Sequence, residues 1–185
     1  MRIGIFGGSF NPPHKKHIKI ANELIDKNYV DKVIFVPTGN SYSKRDLIDF
    51  EDRYNMLKLL ETNNILVSDI SREDKYTYEV LDYFNNGTDE LFFICGIDNL
   101  DNFDKWKRYE YVLEKYKLLV INRSGYSFDI IKDKYNSDNI ILANIEIENI
   151  SSSMIREKLN NNEDVSEYVD GKVLKYIKDK KLYEL

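Results

Sequence analysis

The sequence is poor in several features that whole classes of protein need. It has a single cysteine, Cys95, so it cannot form an intramolecular disulfide, which fits a reducing cytoplasm. No apolar run approaches the ~18 residues of a membrane span. The N-terminus has no basic region followed by the apolar stretch of a secretion signal. We therefore expect a cytoplasmic protein with no membrane partner.

Acidic residues outnumber basic ones, 32 to 27. The formal net charge of −5 argues against a protein that binds nucleic acid through bulk electrostatics, so we expect no nucleic-acid partner. A small anionic ligand stays open, because a local cluster of amides and cations can bind phosphate on an acidic protein. Cys95 lies within an apolar run, "LFFICG", which favours a buried strand residue.

Short apolar runs alternate with amphipathic segments along the chain. The runs are nearly continuous in Val, Ile, Leu and Phe, as in strands that are covered on both faces. They predict strands at 2–6, 32–37, 64–68, 90–95, 117–123 and 140–147. The amphipathic pattern predicts helices at 15–27, 50–61, 77–84 and 98–116, and helical structure from 150 to 182.

This alternation predicts an α/β fold, a Rossmann-like doubly wound parallel sheet with helices on both faces and a helical C-terminal end. The length fits one domain over residues 1–185, with a C-terminal helical subregion at about 150–185. The sequence leaves the oligomeric state open, a homo-oligomer included.

The N-terminal motif "GGSFNPPHKKH" follows the first predicted strand. In such sheets, ligands bind beyond the carboxyl ends of the strands. Gly7 and Gly8 let the backbone approach a ligand closely. His14 and His17, the chain's two histidines, share one face of the next helix and can reach one anion.

Helix capping by His14 with packing of His17 is the structural alternative, and a zinc site lacks an obvious third ligand. Neither a P-loop nor a G-x-G-x-x-G motif is present.

A second motif, "ISSSMIREKL", follows the last predicted strand and opens a helix. Its serines offer hydroxyl groups at the helix N-terminus, and Arg156 follows one turn later. Taken alone, this pattern is typical of an ordinary capped helix. Together with the N-terminal motif it predicts a second part of one polyphosphate-binding site.

The two motifs resemble signatures of the HxGH nucleotidyltransferase superfamily. "GGSFNPPHKKH" is similar to [GST]-x-F-[DN]-P-x-H-x-x-H, and "ISSSMIRE" is similar to I-S-S-[ST]-x-I-R. Three further segments, in the right order, resemble bacterial nicotinate-nucleotide adenylyltransferases. They are "VSDISREDKYTYEVLDYF", "FFICGIDNLDNFDKWKRYEYVLEKYKLLVINRSGY" and "YVDGKVLKYIKDKKLY".

The resemblance implies a reaction of NAD biosynthesis in which a single nucleotidyltransferase domain acts on small-molecule substrates. ATP and nicotinate mononucleotide would give nicotinate adenine dinucleotide and pyrophosphate. The implied catalytic residues are His14, His17 and Arg156. His17 would hold the α-phosphate in the transition state. Mg²⁺ would be the cofactor, held mainly by phosphate oxygens and without a protein metal site.

The resemblance also implies two groups of binding residues. The ATP-binding residues are Gly7, Gly8, Ser9, Phe10, Gly96, Asp98, Ile150, Ser151, Ser152, Ser153 and Arg156. The residues that bind nicotinate mononucleotide are Lys44, Tyr76, Thr77, Trp106 and Arg123. Trp106 would stack on the pyridine ring, and the backbone amides of Tyr76 and Thr77 would receive the carboxylate. Lys44 and Arg123 are the expected phosphate partners, with a solvated side chain as the alternative for each.

One position departs from the family pattern H-x-G-H, because Lys16 replaces the glycine. The Lys16 side chain can point to solvent or add a cation near the phosphates. On the sequence we predict that Lys16→Gly keeps activity, and a collapse of kcat would make Lys16 part of the site. The polar loop at 39–50 is a candidate to close over substrate.

Two other functions stay open on the sequence. The first is another adenylyltransferase of this fold, with phosphopantetheine or nicotinamide mononucleotide as acceptor. The second is a non-catalytic sensor that binds a nucleotide. The intact pair of motifs favours the enzyme over the sensor, and the segments around Tyr76 and Trp106 disfavour phosphopantetheine.

Overall fold

The computed structural model describes residues 1–41 and 46–183. The expected role of Lys44, and the part of the 39–50 loop at 42–45, lie outside the described residues. The strands are β1 (Arg2–Gly8), β2 (Lys32–Pro37), β3 (Ile65–Val67), β4 (Glu90–Gly96), β5 (Lys117–Ile121) and β6 (Ile140–Ala143). The α-helices are α1 (Lys15–Asp26), α2 (Phe50–Lys58), α3 (Thr77–Phe84), α4 (Ile97–Asp101), α5 (Tyr109–Lys115), α6 (Phe128–Asp133), α7 (Ser152–Asn160) and α8 (Gly171–Lys180). Short 3₁₀ turns cover Ile70–Arg72 and Phe103–Lys105.

The strands form one parallel sheet in the order β3-β2-β1-β4-β5-β6. The chain builds outwards from β1 in one direction as far as β3, and then in the other direction from β4. A crevice therefore opens at the carboxyl ends of β1 and β4, where such sheets bind their ligands. The prediction of a Rossmann-like doubly wound fold is confirmed.

Both faces of the sheet are buried, which explains the continuous apolar runs. Neighbouring residues of β4, Phe92 and Phe93, pack into different hydrophobic clusters on opposite faces. Leu118 and Leu119 of β5 divide in the same way, and both are fully buried. Alternate side chains point to opposite faces of a strand, so a strand with helices on both sides needs apolar residues throughout.

The C-terminal helices form a third hydrophobic cluster that packs against α2. Ile155 of α7 and Val173 and Ile177 of α8 are buried there together with Met56 of α2. The predicted continuous helical stretch from 150 to 182 is two helices, separated by a segment that carries the buried Val165 and Val169.

The predicted helix at 98–116 is wrong. The chain forms α4, a 3₁₀ turn and α5, because Trp106 is extended and Arg108 takes the left-handed conformation with φ of 54°. The predicted strands at 117–123 and 140–147 are too long: β5 ends at Ile121, which pairs with Ala143, the last residue of β6. The edge strand has no ladder partner beyond that point. Helix α6 is not predicted from the sequence.

Cys95 is a buried residue of β4, as expected, with 3% of its surface exposed. Burial raises the pKa of its thiol to about 12, so the thiol is unreactive at neutral pH. Among the described residues, no helix is long and apolar enough to cross a membrane.

Candidate active site

The glycine turn lies at the carboxyl end of β1, in the crevice between β1 and β4. A Cβ atom on Gly8, the last residue of β1, would lie 3.0 Å from the Phe10 ring, so any larger residue would push this ring aside. Phe10 itself has φ of 47° and is buried, with 2% of its surface exposed. Its ring meets Phe35 and His17 edge to face, and this packing holds an unfavourable backbone conformation at the site.

The two histidines lie side by side at the start of α1. Their rings are stacked with centroids 3.7 Å apart. The backbone N–H of His14 donates to Nδ1 of His17 over 3.1 Å. Nδ1 of a neutral imidazole that accepts a hydrogen bond has no proton, so the ring proton of His17 is on Nε2. His17 is therefore prepared as a donor through Nε2.

Burial keeps both imidazoles neutral. It lowers the pKa of His14 to about 3, and the nearby charges of Lys16 and Arg123 act in the same direction. Burial also lowers the pKa of His17 well below its usual value, helped by His14 and the same two cations. Between pH 6 and 8, the ligand-free site therefore contains neutral imidazoles next to the side chains of Lys16 and Arg123.

The N-terminus of α7 is joined to the loop that follows the glycine turn. Ser152 Oγ donates to the carbonyl of Pro12 over 2.9 Å, and Arg156 Nη1 donates to the carbonyl of Asn11 over 2.8 Å. Ser151 caps the helix, since its Oγ accepts from the N–H of Met154 at 3.2 Å. The two predicted phosphate-binding motifs are thus brought together by direct hydrogen bonds.

Asp98 lies in the first turn of α4, directly after β4. Its Oδ2 is 3.6 Å from Nη1 of Arg123, while its Oδ1 is buried and has no hydrogen-bond partner among the described residues. A Cβ atom on Gly96 would lie 2.4 Å from Oδ1, so only glycine allows this position of the carboxylate. A buried acceptor without a partner is costly, which favours a ligand donor such as a sugar hydroxyl at this point.

These elements enclose a first cavity of about 370 Å³. Its walls contain every residue expected for ATP, namely Gly7, Gly8, Ser9, Phe10, Gly96, Asp98, Ile150, Ser151, Ser152, Ser153 and Arg156, together with His14 and His17. Arg123, expected to bind the acceptor, also lines this first cavity. Lys16 and Asn99, not predicted as site residues, line it as well.

A second cavity of about 440 Å³ adjoins the first one. It contains the expected Tyr76, Thr77 and Trp106, and the Trp106 ring packs against Phe93 with centroids 5.8 Å apart. The backbone N–H of Tyr76 donates to Oε2 of Glu79 over 2.8 Å. Thr77 is the first residue of α3, where a backbone N–H has no acceptor within the helix.

Three lysines that the sequence did not single out line the second cavity, Lys75, Lys105 and Lys107. Two of them flank the chain's one tryptophan in "KWK", and this pattern is the signal that could have pointed to them. None of the described residues in the walls of this cavity is acidic. The cavity therefore suits an anionic ligand with a flat ring.

The two cavities share Gly7, Gly8, Ser9 and Asn99 in their walls. One cavity is lined by imidazoles, hydroxyl groups and basic side chains, and the other by an indole ring and three lysines. Two ligands can therefore meet at the end of β1. Such an arrangement on a doubly wound sheet defines a nucleotide-binding enzyme that joins two substrates.

Comparisons with known proteins agree with this class. The profile of the cytidylyltransferase-like family matches residues 5–158. Proteins of Clostridium acetobutylicum and Clostridium tetani, both named "Probable nicotinate-nucleotide adenylyltransferase", are 37% and 35% identical, and each match covers 97% of this chain and 97% of the relative. The Plasmodium falciparum nicotinic acid mononucleotide adenylyltransferase complexed with NaAD has the same fold, with a TM-score of 0.82 at 23% identity over 98% of this chain and 97% of that one.

The chain belongs to the nicotinate-nucleotide adenylyltransferases, within the cytidylyltransferase-like family. It is a nucleotidyltransferase.

The low pKa values of the histidines can be tested directly, because the chain has only two. We expect the Hε1 protons of both imidazoles to keep neutral chemical shifts from about pH 8 down to about pH 5.5 in an NMR titration of the ligand-free protein. The unfolded chain takes up these protons near ~6.5. Folding should therefore become less favourable as the pH falls below that value. Titration of either resonance near ~6.5 would contradict the burial argument.

The close approach of Gly96 to Asp98 can be tested with alanine. Because the new Cβ displaces the Asp98 carboxylate, Gly96→Ala should raise the Kd for ATP by about tenfold or more in isothermal titration calorimetry. Gly171→Ala is the matched control, since its Cβ meets no atom within 4 Å, and it should leave the Kd unchanged. Equal affinities of the two variants would show that Asp98 is not held by this contact.

Proposed function

We propose that the protein transfers the adenylyl group of ATP to nicotinate mononucleotide, forming nicotinate adenine dinucleotide and releasing pyrophosphate. The observation that carries this proposal is the meeting of the two cavities at Gly7, Gly8, Ser9 and Asn99. ATP occupies the cavity of the histidines and α7. The mononucleotide occupies the cavity of Trp106, with its phosphate directed towards the shared wall.

The reaction needs alignment rather than a protein nucleophile. The phosphate monoester of the acceptor has a second pKa near ~6, so it is already largely a dianion at neutral pH. One of its oxygens attacks the α-phosphorus of ATP in line with the departing pyrophosphate, and the bond to the β-phosphate oxygen breaks. The enzyme positions the two phosphates and stabilises the negative charge between them.

The neutral histidines suit this role because they donate without needing to be charged. His17 donates from Nε2 to the α-phosphate, and His14 contacts the phosphates beside it. The free backbone amides at the start of α7, the hydroxyl of Ser153 and the remaining N–H groups of Arg156 hold the β- and γ-phosphates. A helix N-terminus carries partial positive charge, which favours the departing pyrophosphate.

The proposed position of ATP also uses Asp98, which lines the first cavity. The unpartnered Oδ1 of Asp98 accepts from a ribose hydroxyl. Among the described residues, no group of three or more His, Cys, Asp or Glu side chains could hold a metal ion. Mg²⁺ is proposed to enter with ATP, where it would be bound mainly by phosphate oxygens and would neutralise phosphate charge. Its preference for phosphates and water over a protein cage fits this site.

The charge of the second cavity favours nicotinate over nicotinamide mononucleotide. The nicotinate ring bears a carboxylate, while the nicotinamide ring is neutral at that substituent. The backbone N–H of Tyr76 already donates to Glu79, so its expected contact with this carboxylate is replaced by one from the N–H of Thr77 alone. Lys75 lies close to Thr77 in sequence, and Trp106 offers a face for the ring. Arg123, on the first cavity beside Asp98, is proposed to contact the acceptor phosphate where the two ligands meet.

We place this reaction in the cytoplasm. The chain's one cysteine is a buried free thiol, so the fold does not depend on an oxidising compartment.

The decisive experiment is pyrophosphate release with ATP and Mg²⁺ and three acceptors in parallel: nicotinate mononucleotide, nicotinamide mononucleotide and phosphopantetheine. We expect the highest kcat/KM with nicotinate mononucleotide. His17→Ala should lower kcat by about 10²- to 10³-fold, because it removes one transition-state donor. His17→Gln keeps an N–H donor and should recover part of this loss.

Each other result has a definite meaning. Preference for phosphopantetheine would identify a different adenylyltransferase of this fold. ATP binding without pyrophosphate release for any acceptor would identify a nucleotide sensor.

The proposed preference for nicotinate over nicotinamide mononucleotide can be tested at Lys75. Lys75→Met should lower the ratio of kcat/KM for nicotinate over nicotinamide mononucleotide by about 3- to 10-fold, because one cation near the carboxylate is lost. Lys178→Met, which removes the same charge from the exposed side of α8, should leave the ratio unchanged. An equal loss for both acceptors would mean that Lys75 senses their shared phosphate instead.

A further inference from the structure

Lys16 occupies the position where the family pattern has glycine, and its side chain does not point to solvent. It lies in the first turn of α1, and only 8% of its surface is exposed. Its Nζ donates one long hydrogen bond, 3.4 Å, to the carbonyl of Ile150. The side chain lines the first cavity together with His14 and His17.

The Lys16 ammonium group is buried without a counter-ion. No carboxylate lies within 4.0 Å of its Nζ in residues 1–41 or 46–183. The nearby carboxylate of Asp98 is paired with Arg123 instead. An ammonium group has three donors, and only one of them is used here. A buried charge with so few partners is costly, so the cavity is built for an anion.

The positive charge of Lys16 acts on both histidines. Lys16 is one of the groups that lower the pKa of His14 and of His17, so its charge is felt by both imidazoles. Burial and the charge of Arg123 lower the pKa of Lys16 itself, while Asp98 opposes this shift. A phosphate group between the imidazoles and Lys16 would reduce the repulsion between Lys16 and Arg123.

We propose that Lys16 is a further catalytic residue, whose ammonium group binds the triphosphate of ATP at the α-phosphate, next to His17. The imidazoles supply neutral hydrogen bonds, and the Lys16 ammonium group supplies a positive charge at the same phosphate. As the adenylyl group is transferred, negative charge grows on the phosphate oxygens around the α-phosphorus, and the ammonium stabilises it. This role deepens the adenylyl transfer proposed above and rests on it.

The position of Lys16 changes the prediction made from the sequence for Lys16→Gly. That prediction assumes that the site works without this cation. Because the ammonium lies inside the cavity, we now expect Lys16→Gly to lower activity.

The test compares Lys16→Met with two other variants. Lys16→Met keeps the bulk of the side chain and removes its charge, while Lys16→Arg keeps the charge. Lys19→Met is the matched control, because Lys19 is a half-buried residue on the next turn of α1 whose ammonium group pairs with Glu148, outside the first cavity. Four quantities are measured: the Kd for MgATP without acceptor by calorimetry, kcat and the KM for ATP at saturating nicotinate mononucleotide, and the melting temperature.

For Lys16→Met, we expect the Kd for ATP to rise and kcat/KM for ATP to fall, each by about 10- to 100-fold. Its melting temperature should stay the same or rise, since a buried unpaired charge has been removed. Lys16→Arg should retain part of the activity, and Lys19→Met should match the wild type.

Two results would overturn the proposal. Unchanged ATP affinity and kcat in Lys16→Met would exclude contact with the triphosphate. A lower melting temperature, together with equal losses of ATP affinity and kcat in Lys16→Met and Lys16→Arg, would mean that Lys16 serves only the structural hydrogen bond to Ile150. Failure of the proposed function would give a different result from failure of this proposal. In the first case the wild type itself shows no turnover, while the Kd for ATP of the Lys16 variants still tests the contact with the triphosphate.

Discussion

Two hydrogen bonds between the ends of the chain hold the candidate active site together. Ser152 Oγ and Arg156 Nη1 donate to the carbonyls of Pro12 and Asn11, which lie more than a hundred residues away in sequence. These bonds fix the loop after the glycine turn against the start of α7. The backbone amides of α7 and the imidazoles of α1 then border the same cavity. Without this contact the two segments that are proposed to bind phosphate would not border one cavity.

A buried arginine holds the same loop from the opposite side. Arg53 is fully buried, and it donates from Nη1 to the carbonyl of Ser9 at 3.0 Å and from Nε to the carbonyl of Ile48 at 2.9 Å. Burial lowers its pKa, yet an arginine stays charged at neutral pH. Although the protein has a net charge of −5, three basic side chains, Lys16, Arg123 and Arg156, line one cavity. The overall charge excludes bulk attraction of nucleic acid, whereas the local charge fits a triphosphate.

The centres of the strands were predictable from the sequence, but several of their ends were not. A strand buried on both faces needs a continuous apolar run, and this pattern needs no knowledge of neighbours. The end of an edge strand depends on its partner, so β6 stops at Ala143 because β5 stops at Ile121. The 98–116 segment has a helical pattern, but it breaks where Arg108 adopts a left-handed conformation. Helix α6 has six residues, too few for a recognisable period.

By itself, the sequence determined that the two motifs belong to one site, because parallel strands direct all their carboxyl ends to the same edge of a sheet. It therefore brought His14, His17 and Arg156 together before any coordinates were known. Only the tertiary structure decided that both imidazoles are neutral and that Lys16 points inwards beside them. It also decided that Arg123 lines the cavity of the histidines. Protonation and side-chain direction depend on burial and on charges supplied by distant segments, and no local pattern in the chain encodes them.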